Sequence, residues 1–295
     1  MDIYEIQKAN PEMFPQFQLK DTLFLYYNCP QKEKILQLYS KHIQINLTVS
    51  GKRILRHGSK SELATENKGY LLKRCAYLQE LPPDYSGWDV IVFYLKDDYL
   101  KHIFNEFRPY LSLNDLPKVS SDVTLGFGID DQIRSCYKGF LPYFQSKRPL
   151  PKDILENKFK ELLFMIFSHP NNRHILSFIS RIADEYSTPI WEIMETNYMY
   201  NLTLKEFAEI ANRSLSTFKR DFHEHYNTTP GKWLIHQRLE LAQLKIRTTD
   251  CTIREIAFDC GFENPSHFSR VFKKFCGISP ATYRETHKVK SSVGQ

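Results

Sequence analysis

Cys251-Thr-Ile-Arg-Glu-Ile-Ala-Phe-Asp-Cys260, followed by Ser266-His-Phe-Ser-Arg-Val-Phe272, repeats a pattern already present upstream. The earlier copy is Leu202-Thr-Leu-Lys-Glu-Phe-Ala-Glu-Ile-Ala211, followed by Ser216-Thr-Phe-Lys-Arg-Asp-Phe222. Thr203 and Thr252, Glu206 and Glu255, and Ala208 and Ala257 lie 49 residues apart. Past the turn the offset is 50, pairing Phe218 with Phe268, Arg220 with Arg270, Phe222 with Phe272, Pro230 with Pro280 and Trp233 with Tyr283. The second turn has gained one residue, and the register then holds.

Each copy reads as a helix, a tight turn and a second helix. Thr203 and Thr252 are N-caps, and Glu206 and Glu255, three residues on, complete capping boxes. Ala208 and Ala257 leave room for another helix to cross closely. Asn212 and Gly261 suit the left-handed conformation that ends a helix. The second helices are expected to start near Leu215 and at Pro265, where Asn264 caps and proline fits the first helical position. Phe218/Phe222 and Phe268/Phe272 are i, i+4 pairs that anchor one face in a core. The opposite faces carry Ser216, Thr217, Lys219 and Arg220, and Ser266, His267, Ser269 and Arg270, with Lys273 and Lys274 one turn further on. Those are donors with the reach for base edges and phosphates.

A helical solenoid is the bland alternative, but such arrays need at least about three stacked copies. Two copies joined by a helical stretch fit a pair of DNA-reading units better. Here the chain resembles the AraC/XylS family of bacterial transcription regulators. The resemblance covers about 100 residues at the C-terminus, and its most specific segments are Ile256-Ala-Phe-Asp-Cys-Gly-Phe262, Ser266 to Lys274 and Gly277-Ile-Ser-Pro-Ala-Thr-Tyr-Arg284. The first unit departs more, with Arg213-Ser-Leu215 in place of a regular turn. The resemblance implies double-stranded DNA and RNA polymerase as partners, and activation more than repression.

The whole chain has 295 residues, room for two domains with their own cores. Residues 200–290 carry 15 Lys and Arg against 10 Asp and Glu, while the first 199 carry 25 against 24. The positive excess thus sits on the segment that reads as a DNA binder. Cysteines at 29, 75, 136, 251, 260 and 276 form no C-x-x-C pair, which favours reduced thiols in a cytoplasmic protein. The start lacks a signal-peptide core, and no apolar run approaches the roughly 18 residues that span a bilayer. No membrane association is expected.

The N-terminal half is strand-like between Leu19 and Leu95: Thr22-Leu-Phe-Leu-Tyr-Tyr27, the alternating Ile43-Gln-Ile-Asn-Leu-Thr-Val49, Lys52-Arg-Ile-Leu-Arg56 and the buried Trp88-Asp-Val-Ile-Val-Phe-Tyr-Leu95. This spacing predicts a small antiparallel barrel or jelly roll. It resembles the cupin-like sensor domain of AraC-type regulators, and the run Asn46 to Lys52 looks most like the N-terminal half of activators of type III secretion genes. A metalloenzyme would need converging histidines and carboxylate, whereas His42, His57 and His102 are scattered. No nucleophile elbow, P-loop or dinucleotide motif appears. Neither enzymatic activity nor a metal or other cofactor is expected.

After Lys96 the pattern turns helical, with Leu100, Ile103, Phe104 and Phe107 on one face, then Asp130 to Gln145, Pro151 to His169 and Asn172 to Tyr186. The 151–169 helix carries an apolar stripe (Ile154, Leu155, Leu162, Met165, with Phe159, Leu163, Ile166 and Phe167) that suits either core packing or a dimer interface. Ser187-Thr188-Pro189 is a break-and-restart signal.

The expected fold is therefore α+β: a cupin-like antiparallel β-barrel with trailing helices over 1–170, a linker over 171–187, and an all-α DNA-binding domain over 188–295. Within the latter, helix-turn-helix units over about 203–225 and 252–276 flank a linker helix over about 231–247. A helix of that length, about 24 Å at ~1.5 Å per residue, would set the two recognition helices about one duplex turn apart. Arg238 on it reads as a salt bridge to Glu209 or another carboxylate, with a phosphate contact as the alternative. The functional expectation is a DNA-binding transcription regulator, a homodimer, controlled through its N-terminal domain by a small-molecule effector or, alternatively, by a partner protein.

Overall fold

The computed structural model describes residues 2–19, 22–84, 87–146, 151–184 and 188–287. The chain divides into two compact units, Met1–Ser187 and Thr188–Gln295.

The first unit opens with α1 (Ile3–Ala9) and runs through β1 (Gln16–Leu19), β2 (Thr22–Asn28), β3 (Ile35–Ser40), β4 (Ile43–Gly51), β5 (Arg53–His57), β6 (Lys60–Ala64), β7 (Lys68–Leu72), β8 (Cys75–Glu80) and β9 (Trp88–Leu95). Then come α2 (Asp97–Phe107), β10 (Thr124–Gly128), α3 (Asp131–Lys138), α4 (Leu141–Gln145), α5 (Lys152–Ser168) and α6 (Arg173–Ala183). The strands form two antiparallel sheets, ordered β1-β2-β9-β4-β7-β10 and β3-β8-β5-β6.

The larger sheet is the middle layer of three, which explains why β9 is apolar throughout. Its Val90, Val92 and Tyr94 face the smaller sheet, where they join Leu23, Leu25, Tyr70, Leu38, Leu55 and Tyr77. Its Ile91, Phe93 and Leu95 face the helices and pack with Phe104, Phe140, Phe159 and Ile179. Strict alternation puts successive side chains on opposite faces, so a strand covered on both sides loses its polar positions. The β10 edge is covered by local chemistry: the Gly128 N–H donates to Asn172 Oδ1 (3.0 Å), and His174 Nε2 lies 2.8 Å from the Gly126 carbonyl. Such cover removes the free edge that invites strand pairing.

Three sequence expectations change. The helix expected over Asp130 to Gln145 is two helices, because Pro142 cannot continue a helix but fits the start of a new one. The 171–187 linker is largely a core element: Ile175, Leu176, Ile179 and Ile182 of α6 are buried with the helical layer, while residues 185–187, including Ser187 of the break signal and Tyr186, lie outside the described residues. On α5, Leu155, Phe159, Leu162, Leu163, Ile166 and Phe167 are buried within their own unit, leaving Ile154 at 47% exposure. Most of that stripe is therefore core.

The second unit is all helical: α7 (Ile190–Asn197), α8 (Leu204–Ile210), α9 (Leu215–Tyr226), α10 (Pro230–Thr248), α11 (Ile253–Asp259), α12 (Pro265–Cys276) and α13 (Pro280–His287). Within the described residues no helix is long and apolar enough to cross a membrane.

Candidate nucleic-acid interface

Both capping boxes form. The Glu206 N–H donates to Thr203 Oγ1 (3.3 Å) and the Thr203 N–H to Glu206 Oε2 (2.6 Å); the second copy has 3.2 Å and 2.7 Å between Thr252 and Glu255. The Thr252 N–H and hydroxyl hold the Glu255 carboxyl below its ordinary range. Asn212 (φ 53°) and Gly261 (φ 80°) take the left-handed conformation that redirects the chain into α9 and α12. Ser214 caps α9 and Asn264 caps α12.

The two units also share a core design. Phe218, Phe222, Phe268 and Phe272 are each fully buried. Phe222 meets Trp233 edge-on at 6.0 Å and 74°, and Phe272 meets Tyr283 at 5.4 Å and 83°. The start of α10 thus closes the first unit as α13 closes the second.

Burying those aromatics turns the opposite faces outward. Ser216, Lys219, Arg220, Ser266, His267, Arg270, Lys273 and Lys274 are exposed, and Thr217 and Ser269 are half-buried. Not all are equally available. The Ser269 hydroxyl donates to the Pro265 carbonyl (2.9 Å), and Thr217 Oγ1 accepts from Ser214 (2.9 Å). Arg220 lies between two carboxylates of its own helix, Asp221 at 3.4 Å and Glu224 at 3.9 Å. Among the described residues no carboxylate pairs with Arg270, Lys273 or Lys274. The second recognition helix therefore presents an uncompensated cationic face, and the first a partly neutralised one.

Arg238 differs from its sequence reading. It makes no pair with Glu209, whose carboxylate faces Lys205 at 3.8 Å. Its Nε–H donates to the Tyr198 carbonyl and an Nη2–H to the Tyr200 carbonyl, both at 2.7 Å. The Tyr200 carbonyl also accepts from the Leu202 N–H (2.9 Å), and the guanidinium holds both carbonyls with one rigid fork. Burial pulls its pKa down to about 10, still leaving it charged at neutral pH.

The sequence reading also missed Arg213, which bonds Asp221 (3.0 Å) and the Thr188 carbonyl (3.1 Å), and Arg284, which donates to the Cys251 carbonyl (2.6 Å). The signal was present in the irregular first turn, but an arginine's partner lies outside any local pattern. The described residues contain no cluster of three or more metal-ligating side chains, and none of the six cysteines is in a disulfide.

Fold and site together define a protein with two helix-turn-helix units on one helical scaffold, preceded by a β-rich unit. Residues 207–286 match the family described as a helix-turn-helix domain, and residues 44–178 match the ExsA N-terminal regulatory domain. The chain thus carries an AraC-type helix-turn-helix domain and an ExsA-type N-terminal domain, and the relatives it matches are AraC-family transcription regulators. It is similar to the HTH-type transcriptional regulator ExsA of Pseudomonas aeruginosa, 24% identical over 161 residues (55% of this chain, 57% of that protein). It is also similar to the transcriptional activator NphR of a Rhodococcus species, 36% identical over 101 residues (34% and 30%), and to the virulence regulon activator VirF of Yersinia enterocolitica, 25% over 136 (46% and 50%). The matched stretches thus span between 30% and 57% of these relatives' lengths. The relatives are regulators, not enzymes. Among solved structures, ToxT of Vibrio cholerae aligns over 92% of this chain and 100% of that chain (15% identity, TM-score 0.40). The AdpA DNA-binding domain in complex with target DNA aligns over 37% and 100% (31% identity, TM-score 0.34).

Proposed function

We propose that this protein is a sequence-specific DNA-binding transcription activator whose two recognition helices, α9 and α12, enter successive major grooves. The supporting observation is the division of faces: the aromatic pairs are buried while Arg270, Lys273 and Lys274 stand exposed without carboxylate partners. Such a face gains contacts only against an anionic, hydrogen-bonding surface. Arg270 and Arg220 read bases, Ser216, Thr217, Lys219, Ser266, His267 and Ser269 contribute around them, and Lys273 and Lys274 hold phosphate. RNA polymerase is the proposed partner in activation, homodimerisation falls to the first unit, and the cytoplasm is the proposed location. Selection from a random DNA pool with the full-length protein tests this. Two conserved elements about one helical turn apart are expected; a pool that stays random would sink the reading.

For control of activity, a partner protein is favoured over a small molecule. The space between the sheets is filled by Tyr27, Tyr77, Tyr94, Trp88 and aliphatic side chains. A cavity beside His42, Tyr4 and Tyr94 holds about 10 Å³, room for about one water.

A further inference from the structure

Gly261 sits at the turn between α11 and α12, yet its nearest neighbours lie on α10 and in the segment ahead of α8. A Cβ there would lie 2.9 Å from Arg238 Nε and 3.0 Å from the Met199 carbonyl oxygen. Arg238 in turn holds the Tyr198 and Tyr200 carbonyls. Two residues past Gly261, the Glu263 carboxylate accepts from Asn201 Nδ2 at 2.7 Å. The segment 198–201, which leads into α8, is thus pressed directly against the turn between α11 and α12. α10 is not the sole connection between the two readers.

We infer that Arg238, together with Gly261 and the Asn201–Glu263 bond, is a positioning device that fixes the spacing at which the protein reads its two DNA elements. This rests on the DNA-binding reading above. Two linked modules gain from simultaneous binding only where their separation matches the sites. A rigid pair has one such separation. A pair free to pivot about α10 has several, and binds the best of them less tightly because orientation must be fixed on binding. Arginine suits the role because its planar fork reaches two carbonyls at once, which a lysine ammonium on a flexible stem does not hold in one geometry.

Two measurements on the full-length chain test it. The first needs no DNA: spin labels at Lys205→Cys and Arg254→Cys, equivalent exposed positions on α8 and α11, in a Cys251→Ser background. A single narrow distance distribution is expected, broadened by Arg238→Ala and by the surface double variant Asn201→Ala/Glu263→Ala. The second is binding to duplexes carrying both selected elements at their selected spacing and with about half a helical turn inserted. The unmutated protein should lose at least about tenfold on the inserted duplex, and the variants about threefold or less. Binding to a duplex with one element should stay the same for all. The double variant keeps the test open should Arg238→Ala fail to fold, since both its residues are exposed. Unchanged distances and spacing discrimination in a folded variant would overturn the inference. Broadened distances in a protein that selects no DNA sequence would leave the contact standing and remove the DNA-binding reading instead.

Discussion

Phe272 lies edge-on to Tyr283 at 5.4 Å, beneath the exposed face that carries Arg270. Anchor and reader are thus opposite sides of one helix, and they separate cleanly by mutation. Phe272→Ala should destabilise the second unit by about 3–5 kcal/mol, lower its melting temperature and weaken binding to every sequence. Arg270→Ala should leave melting nearly unchanged and cost about 1–3 kcal/mol on the cognate site, with relaxed preference at one base position. Thermal melts beside titrations on cognate and scrambled DNA check both. Full stability in Phe272→Ala with loss of sequence preference alone would invert the assignment of faces.

Lys273 and Lys274 should behave differently from Arg270. Replacing either with Ala should weaken cognate and scrambled DNA alike and reduce the slope of log affinity against log salt by about 1. Titrations at four or more salt concentrations measure this. A loss confined to cognate DNA would move the residue into base readout.

The repeat places Glu224 where the second unit has Lys274, and Glu224 faces Arg220 at 3.9 Å. Glu224→Gln should therefore strengthen binding to all duplexes, and Glu224→Lys should strengthen it further with a salt slope steeper by about 1. Weaker cognate binding in Glu224→Gln would show instead that the carboxylate accepts a hydrogen bond from a base.

His42 gives the first unit a pH dependence. Burial, with Lys41, Lys96 and Arg74 nearby and Glu5 opposing them, pulls its pKa down to about 4. The unfolded chain's imidazole titrates near ~6.5. Between these values the unfolded state binds a proton that the folded state excludes, so stability falls as pH drops from about 6.5 towards 4. Above that window this group contributes no pH dependence. His42→Gln should flatten the decline in denaturant unfolding of the full chain between pH 6.5 and 4.5. An unchanged slope would mean that the folded imidazole is protonated.

The local grammar of the second unit was legible because its determinants lie within a few residues of one another. A capping box spans three positions, an aromatic anchor four, and a left-handed turn one, so Thr252, Glu255, Gly261, Asn264, Phe268 and Phe272 declare their roles in the sequence. The 49- and 50-residue offsets did the rest by showing the unit twice. In the first unit the apolar run of β9 likewise announced a largely buried strand, though not which layers cover it.

Tertiary structure decided whatever depends on a partner distant in the chain. Arg238 was read as half of an ion pair because sequence shows charge but not geometry; folding set it against two carbonyls 38 and 40 residues away. α6 read as a linker because its isoleucines have no core until α2 and α5 pack beside it. Arg220 and Arg270 are the same residue at the same repeat position, and their difference is by contrast local: Arg220 has Asp221 and Glu224 one and four residues on, where Arg270 has Val271 and Lys274. Propensity, capping and periodicity act over one or two turns of chain and are written locally. Burial, charge pairing and the fixed approach of one unit to another are properties of surfaces that exist only once the chain has folded.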